Sequence, residues 1–327
     1  MARKLRVEEE GGLYHIINRG NDRQWVFESE GAKAAFEKAL FEACERARWV
    51  LHAYVIMGNH FHLAVETPNG NLSEGMRWLQ SVFANRFNRL RKEHGRLFQS
   101  RFKSLYVESG GRLGWLCHYI HLNPVRAGIC RAEQLKGFRW SSSWYWRRAK
   151  MRPAFLDFEA CLQAAGELRD TSAGWSGYEQ YLSWLAGNPH EQKRLEFASM
   201  SRGWALGTKA FKQAVMQEHS RHRPRLRLDQ KEAREARILE WENCLERCTT
   251  LFAKDSQASA QEPKAAAWKV AVAAYMKERL MCSNTWLAQN LHMGVLYGVS
   301  RYVGELRSGR RPEAQKLYRH LNAKIKE

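Results

Sequence analysis

The chain has 327 residues, 44% apolar and 12% aromatic, and carries a formal net charge of +19. That composition excludes a disordered chain, no apolar run approaches the roughly 20 residues of a membrane span, and seven scattered cysteines without a CxxC pair exclude a disulfide framework. So strong a positive charge calls for an anionic polymer as partner, nucleic acid first.

Taken in order, GGLYHIINRG (11–20) is a short apolar run closed by glycine and predicts a strand. EGAKAAFEKALFEACERAR (30–48) has helical spacing through Ala34, Phe36, Leu40, Phe41 and Cys44. VLHAYVIM (50–57) predicts a second strand. Gly58-Asn59 then turns the chain into HFHLAVETP (60–68), so the two runs should pair as an antiparallel hairpin. NLSEGMRWLQSVFANRFNRLRKEHG (71–95) predicts a long amphipathic helix with Met76, Leu79, Val82, Phe83 and Phe87 on its apolar face and Gly95 as its stop. SLYVES (104–109) reads as a strand. GRLGWLCHYIHLNPVRAG (111–128) reads as a helix ending near Asn123, because Pro124 disfavours helical geometry before it. The order βαββαβ followed by a helix predicts an α+β fold, a ferredoxin-like antiparallel sheet with helices on one face.

Beyond residue 131 the signal weakens. RWSSSWYWRRAK (139–150) is aromatic and basic and reads as more nucleic-acid surface, while 155–215 look helical without assignable chemistry. RHRPRLRLDQKEAREAR (221–237) is a basic run, and the small, polar residues of 249–267 break periodicity like a linker. Three helices follow. The first carries Val270, Ala274 and Met276. The second, capped by Ser283 or Asn284, carries Trp286, Leu287, Ala288 and Leu291. After a turn at Met293-Gly294, the third (299–306) presents Ser300, Arg301 and Tyr302, with Arg307 just beyond. The spacing fits a helix-turn-helix, whose second helix would enter a major groove; a generic helical hairpin is the bland alternative. The expected divisions are an α+β domain at 1–150, a helical extension at 151–248, a linker at 249–263 and an all-α DNA-binding domain at 264–327.

The chemistry starts at His60 and His62. Side chains at i and i+2 of a strand share a face, so the two imidazoles stand together while Phe61, Leu63 and Val65 fill the other face. Such a pair is either a surface accident or two ligands of a metal. A histidine-triad scheme fails at Ala64, and Glu66 is a further candidate on the same face. Tyr119 and Asn123 lie one helical turn apart. Tyr119 could attack while the Asn123 oxygen completes a His-His-Asn site suited to Mg²⁺ or Mn²⁺; the bland alternative is a core tyrosine packed with Trp115 and Leu122. His118 and His121 point about 100° to either side of the tyrosine, so neither is taken as its base. Arg86, Arg89, Arg91, Arg101 and Lys103, interleaved with aromatics, suit phosphates and unpaired bases.

Four separated stretches, MGNHFHLAVETP, GRLFQSRFKS, YIHLNPVRAG and WSSSWYW, resemble in content and order the REP-associated tyrosine transposases, relatives of the IS200/IS605-type single-tyrosine (HUH) transposases. The resemblance spans residues 7–148 and implies that 1–150 is the catalytic domain. It implies that His60, His62 and Asn123 hold Mg²⁺ or Mn²⁺ and that Tyr119 is the nucleophile. The implied activity is metal-dependent cleavage and strand transfer of single-stranded DNA at REP-like hairpins through a 5′-phosphotyrosine intermediate. The implied partners are single-stranded hairpin DNA and, through the C-terminal domain, duplex DNA. No membrane is expected, the protein is a monomer or homodimer, and the location is cytoplasmic, on a bacterial nucleoid. The alternative is a non-catalytic, domesticated DNA-binding regulator with the same fold; intact His60, His62, Tyr119 and Asn123 favour the enzyme.

Overall fold

The computed structural model describes residues 7–92, 94–222 and 230–325, and the chain divides into two compact units, 1–229 and 230–327. In the first unit the expected order appears as β1 (Gly12–Arg19), α1 (Glu30–Ala47), β2 (Val50–Ile56), β3 (His60–Thr67), α2 (Leu72–Arg91) and β4 (Lys103–Val107). Then come α3 (Gly111–His121), α4 (Asn123–Arg126), α5 (Glu159–Ala164), α6 (Ser172–Ala186), α7 (Pro189–Arg194), β5 (Ala205–Leu206) and α8 (Lys209–His222). The sheet order is β2-β3-β1-β4-β5, antiparallel except for β5, which runs parallel to β4.

The period of two in β3 sets the two faces. Phe61 meets Phe36 at 4.6 Å between ring centroids, and Phe36 meets Phe83 of α2 at 5.1 Å, so α1 and α2 cover this face. The opposite face, with His62, receives α3. Both faces are therefore covered, and β2 and β3 are buried nearly throughout instead of alternating. Gly114 lets α5 press against the back of α3: a Cβ there would collide with the Ala160 carbonyl and the Ala164 side chain.

Three local expectations change. In α1 the buried stripe is Ala32, Phe36, Ala39, Leu40, Ala43, Cys44 and Ala47, while Ala34 is exposed. Glu37 shares the buried stripe because Arg139 clamps it with two bonds of 2.7 Å and the Tyr54 hydroxyl donates to it at 2.6 Å. α2 stops at Arg91, where Lys92 takes a left-handed φ of 55°, ahead of Gly95. The stretch 140–146 is core and not a nucleic-acid surface: Ser141, Ser142 and Ser143 are fully buried. It closes the open edge of β2. The Ile56 amide donates to the Trp140 carbonyl (2.8 Å), the Tyr54 amide to Ser142 Oγ (3.0 Å), and Ser141 Oγ to the Tyr54 carbonyl (3.1 Å). Its cations and aromatics satisfy each other, Arg148 lying 3.5 Å over Trp144 and Arg139 4.7 Å over Trp140.

The second unit holds α9 (Gln230–Leu251), α10 (Ser256–Gln261), α11 (Ala267–Leu280), α12 (Asn284–Asn290), α13 (Leu296–Arg307) and α14 (Pro312–Lys324). It begins well before the expected boundary at 264. Trp241 and Cys248 belong to its core, and the Trp241 indole donates to the Leu280 carbonyl at 3.0 Å. The expected linker at 249–263 contains α10, and Ser259 there accepts through its carbonyl from the buried Lys269 ammonium at 2.6 Å. Ser283 caps α12 by accepting from the Trp286 amide (3.2 Å), and His292 and Gly294, at φ 50° and 83°, make the turn into α13. Residues 223–229 of the basic run lie outside the described residues. Among the described residues no helix is long and apolar enough to cross a membrane.

Candidate active site

The antiparallel register of β1 on β3 sets Ile17 beside His62 and Arg19 beside His60. The His60 and His62 rings sit 5.1 Å apart, nearly perpendicular. His60 Nδ1 bonds Asn59 Oδ1 at 2.7 Å. An amide oxygen only accepts, so Nδ1 carries the proton and Nε2 keeps its lone pair. Helix α3 brings the Tyr119 ring to 5.8 Å from His62 and 6.0 Å from His15. The Tyr119 hydroxyl shares a hydrogen bond of 2.9 Å with Ser201 Oγ, and the Arg126 guanidinium lies 4.6 Å over its ring. Asn123, the first residue of α4, donates its amide nitrogen to the Tyr119 carbonyl at 3.0 Å. That bond uses the nitrogen and leaves the amide oxygen for a cation or another donor.

Burial, with help from Arg19, pushes His60 down to about 4. His62 is held well below its ordinary value by burial first, then by His15, His60, Arg126 and Arg19. Both imidazoles are therefore neutral near pH 7, the state in which a ring nitrogen can bind a metal. Two imidazole nitrogens and one amide oxygen fit a divalent cation that keeps positions open for phosphate oxygens. Among the described residues, no group of three or more His, Cys, Asp or Glu could hold a metal. Glu66 belongs elsewhere: it lies 3.5 Å from His52, which is also 3.6 Å from Asp157. His118 and His121 face away from the site. Both are fully buried, bond the Tyr178 hydroxyl at 2.9 Å each, and are pushed by burial down to about 3.

Three participants, His15, Met200 and Ser201, escape a reading of the sequence, and one candidate, Lys103, takes another place. His15 Nδ1 bonds the Met200 carbonyl at 2.7 Å, and His15 Nε2 bonds His62 Nδ1 at 2.9 Å. Lys103, expected on the DNA surface, turns inward and donates to the Ser201 carbonyl at 3.0 Å. Met200 and Ser201 come from the extension to which no chemistry was assigned. Strand β5 holds them in place, its backbone bonds being Tyr106 N–H to Trp204 O (3.0 Å) and Glu108 N–H to Leu206 O (2.8 Å). No local signal marks Ser201, and His15 stands alone in an apolar strand like a core residue.

Of the other candidates, Arg86 pairs with Glu42 at 2.8 Å, Arg91 lies 5.0 Å over Phe87, and Arg89 and Arg101 are exposed. In the second unit Ser300 Oγ bonds Asn284 Nδ2 at 2.6 Å, Arg301 lies 3.7 Å from Glu305, and Arg307 is exposed.

The βαββαβ sheet thus carries a histidine pair on one face with the tyrosine helix laid across it. Residues 10–123 match the family model described as "Transposase IS200 like". Among solved structures, one described as "Structure of the REP associates tyrosine transposase bound to a REP hairpin" is similar at a TM-score of 0.39 and 16% identity, covering 49% of this chain and 93% of that chain. No curated protein matches the chain.

Proposed function

We propose that the first unit cuts and rejoins single-stranded hairpin DNA by transesterification at Tyr119, with Mg²⁺ or Mn²⁺ held by His60, His62 and the Asn123 oxygen. The observation that carries this reading is the Tyr119 ring set 5.8 Å from His62 across α3 and β3. Tyr119 Oη bonds the scissile phosphorus as the bond from phosphorus to the 3′-oxygen breaks. A 5′-phosphotyrosine and a free 3′-OH result, and the phenol proton ends on the departing 3′-oxygen. The 3′-OH of another strand can reverse the step, so joining needs no ATP. When bound, the cation polarises the phosphate and offsets its charge. Ser201 fixes the direction of the Tyr119 hydroxyl, while Arg126 and Lys103 make the pocket positive. Arg86, Arg89, Arg91 and Arg101 supply phosphate contacts outside it. Ser300, Arg301 and Arg307 on α13 serve a duplex, and the hairpin as substrate rests on the motif resemblance.

The test mixes the protein with labelled single-stranded hairpins from the DNA flanking its gene, with Mg²⁺ or Mn²⁺, beside Tyr119→Phe. A denaturation-resistant protein–DNA adduct that vanishes in the variant and with chelator is expected. Binding without adduct across several hairpins would replace this reading with the non-catalytic regulator.

A further inference from the structure

The hydrogen bonds of His15 have only one consistent direction. The Met200 carbonyl carries no hydrogen, so His15 Nδ1 is the donor across their 2.7 Å contact. In a neutral ring the other nitrogen, Nε2, is then the acceptor. It faces His62 Nδ1 at 2.9 Å, so His62 Nδ1 must carry a proton and donate it. His62 Nε2 is left as a lone pair. The two rings lie stacked, 5.1 Å apart and tilted by 26°, which also fixes the plane of His62. Burial pushes His15 down to about 4, consistent with the neutral form. With both nitrogens engaged, His15 is not itself a ligand.

We propose that His15 is a positioning residue. Through a relay that starts at the Met200 carbonyl, it locks His62 as the Nδ1-protonated tautomer and aims Nε2 into the pocket it shares with His60 and Tyr119. The inference rests on the reading of His62 as a metal-holding residue, although the relay exists without the metal. It also gives the extension a role, because the relay ends on a backbone atom 185 residues away from His15.

The test uses the full chain with ¹⁵N-labelled histidine and two variants. His15→Gln keeps an amide donor for Met200 and an amide oxygen for His62; His15→Phe keeps the ring volume and removes both. Long-range ¹H–¹⁵N spectra without metal read the His62 tautomer, with His62→Ala assigning the signal. Mn²⁺ affinity is measured by electron paramagnetic resonance. The Nδ1-protonated form is expected in the wild type and in His15→Gln, with tautomers mixed in His15→Phe. Removing a group that orients a ligand weakens metal binding about 10- to 100-fold, so His15→Phe should lose Mn²⁺ affinity in that range and His15→Gln should recover most of it. An Nε2-protonated His62 in the wild type, or an unchanged tautomer in His15→Phe, overturns the relay. A wild type that shows the tautomer but binds no Mn²⁺ supports the relay and overturns the metal reading instead. If His15→Phe does not fold, the wild-type and His15→Gln tautomers decide the question.

Discussion

Tyr119 shares its hydroxyl bond with Ser201, whose carbonyl in turn accepts from Lys103, so the tyrosine and a cation meet on one residue. Serine is too weak a base to take the phenol proton, which leaves orientation as its role. Ser201→Ala should slow adduct formation about fivefold, the effect of losing a hydrogen bond of ~1 kcal/mol. A rate equal to wild type would remove Ser201 from the site. At this scale the sequence was readable wherever chemistry is local. His60 and His62 stand two apart, and Tyr119 and Asn123 four apart, so periodicity alone puts each pair on one face. His15 was not readable because a lone histidine in an apolar strand has the pattern of a core residue. Ser201 lies 82 residues from the tyrosine it holds.

Strands and helices of the βαββαβ core follow from their hydrophobic periods, and the hairpin of β2 and β3 from its Gly58-Asn59 turn. The element that misled is the stretch 139–148. Arginine interleaved with tryptophan suits a nucleic acid, yet the same residues stack on one another and close the edge of a sheet. Arg139 shows what that closure is worth, since it neutralises Glu37 beneath α1. Removing one partner of a buried ion pair costs about 3–5 kcal/mol. The Arg139 side chain is 37% exposed, which brings the expected loss for Arg139→Ala down to about 2 kcal/mol. Urea unfolding followed by tryptophan fluorescence would read it, and an unmoved midpoint would show that the pair is not structural.

The first unit as a whole is built around neutral histidines. His15, His60, His62, His118 and His121 all have pKa values pushed down by burial, to about 4 for His15 and His60 and about 3 for His118 and His121. An unfolded histidine titrates near 6.5, so below that pH the unfolded chain binds more protons than the folded one. The stability these residues contribute is present above about 6.5 and is lost as pH falls toward about 4 and then 3. The urea midpoint of the first unit should therefore drop between pH 7 and pH 5. A midpoint that does not move between pH 7 and pH 5 would contradict the assignment.

Strand β5 has a consequence for how this protein can be shortened. A gene trimmed at residue 150 would still encode all four recognisable motifs, the histidine pair and the tyrosine. It would lack the Met200 carbonyl, the Ser201 hydroxyl and the two strand residues that hold them in place. Recognisable motifs therefore mark the candidate residues, while their hydrogen-bond partners are delivered by a short strand that no motif announces. The intervening residues are no free spacer either, since Phe158, Trp175 and Tyr178 are buried in the same core.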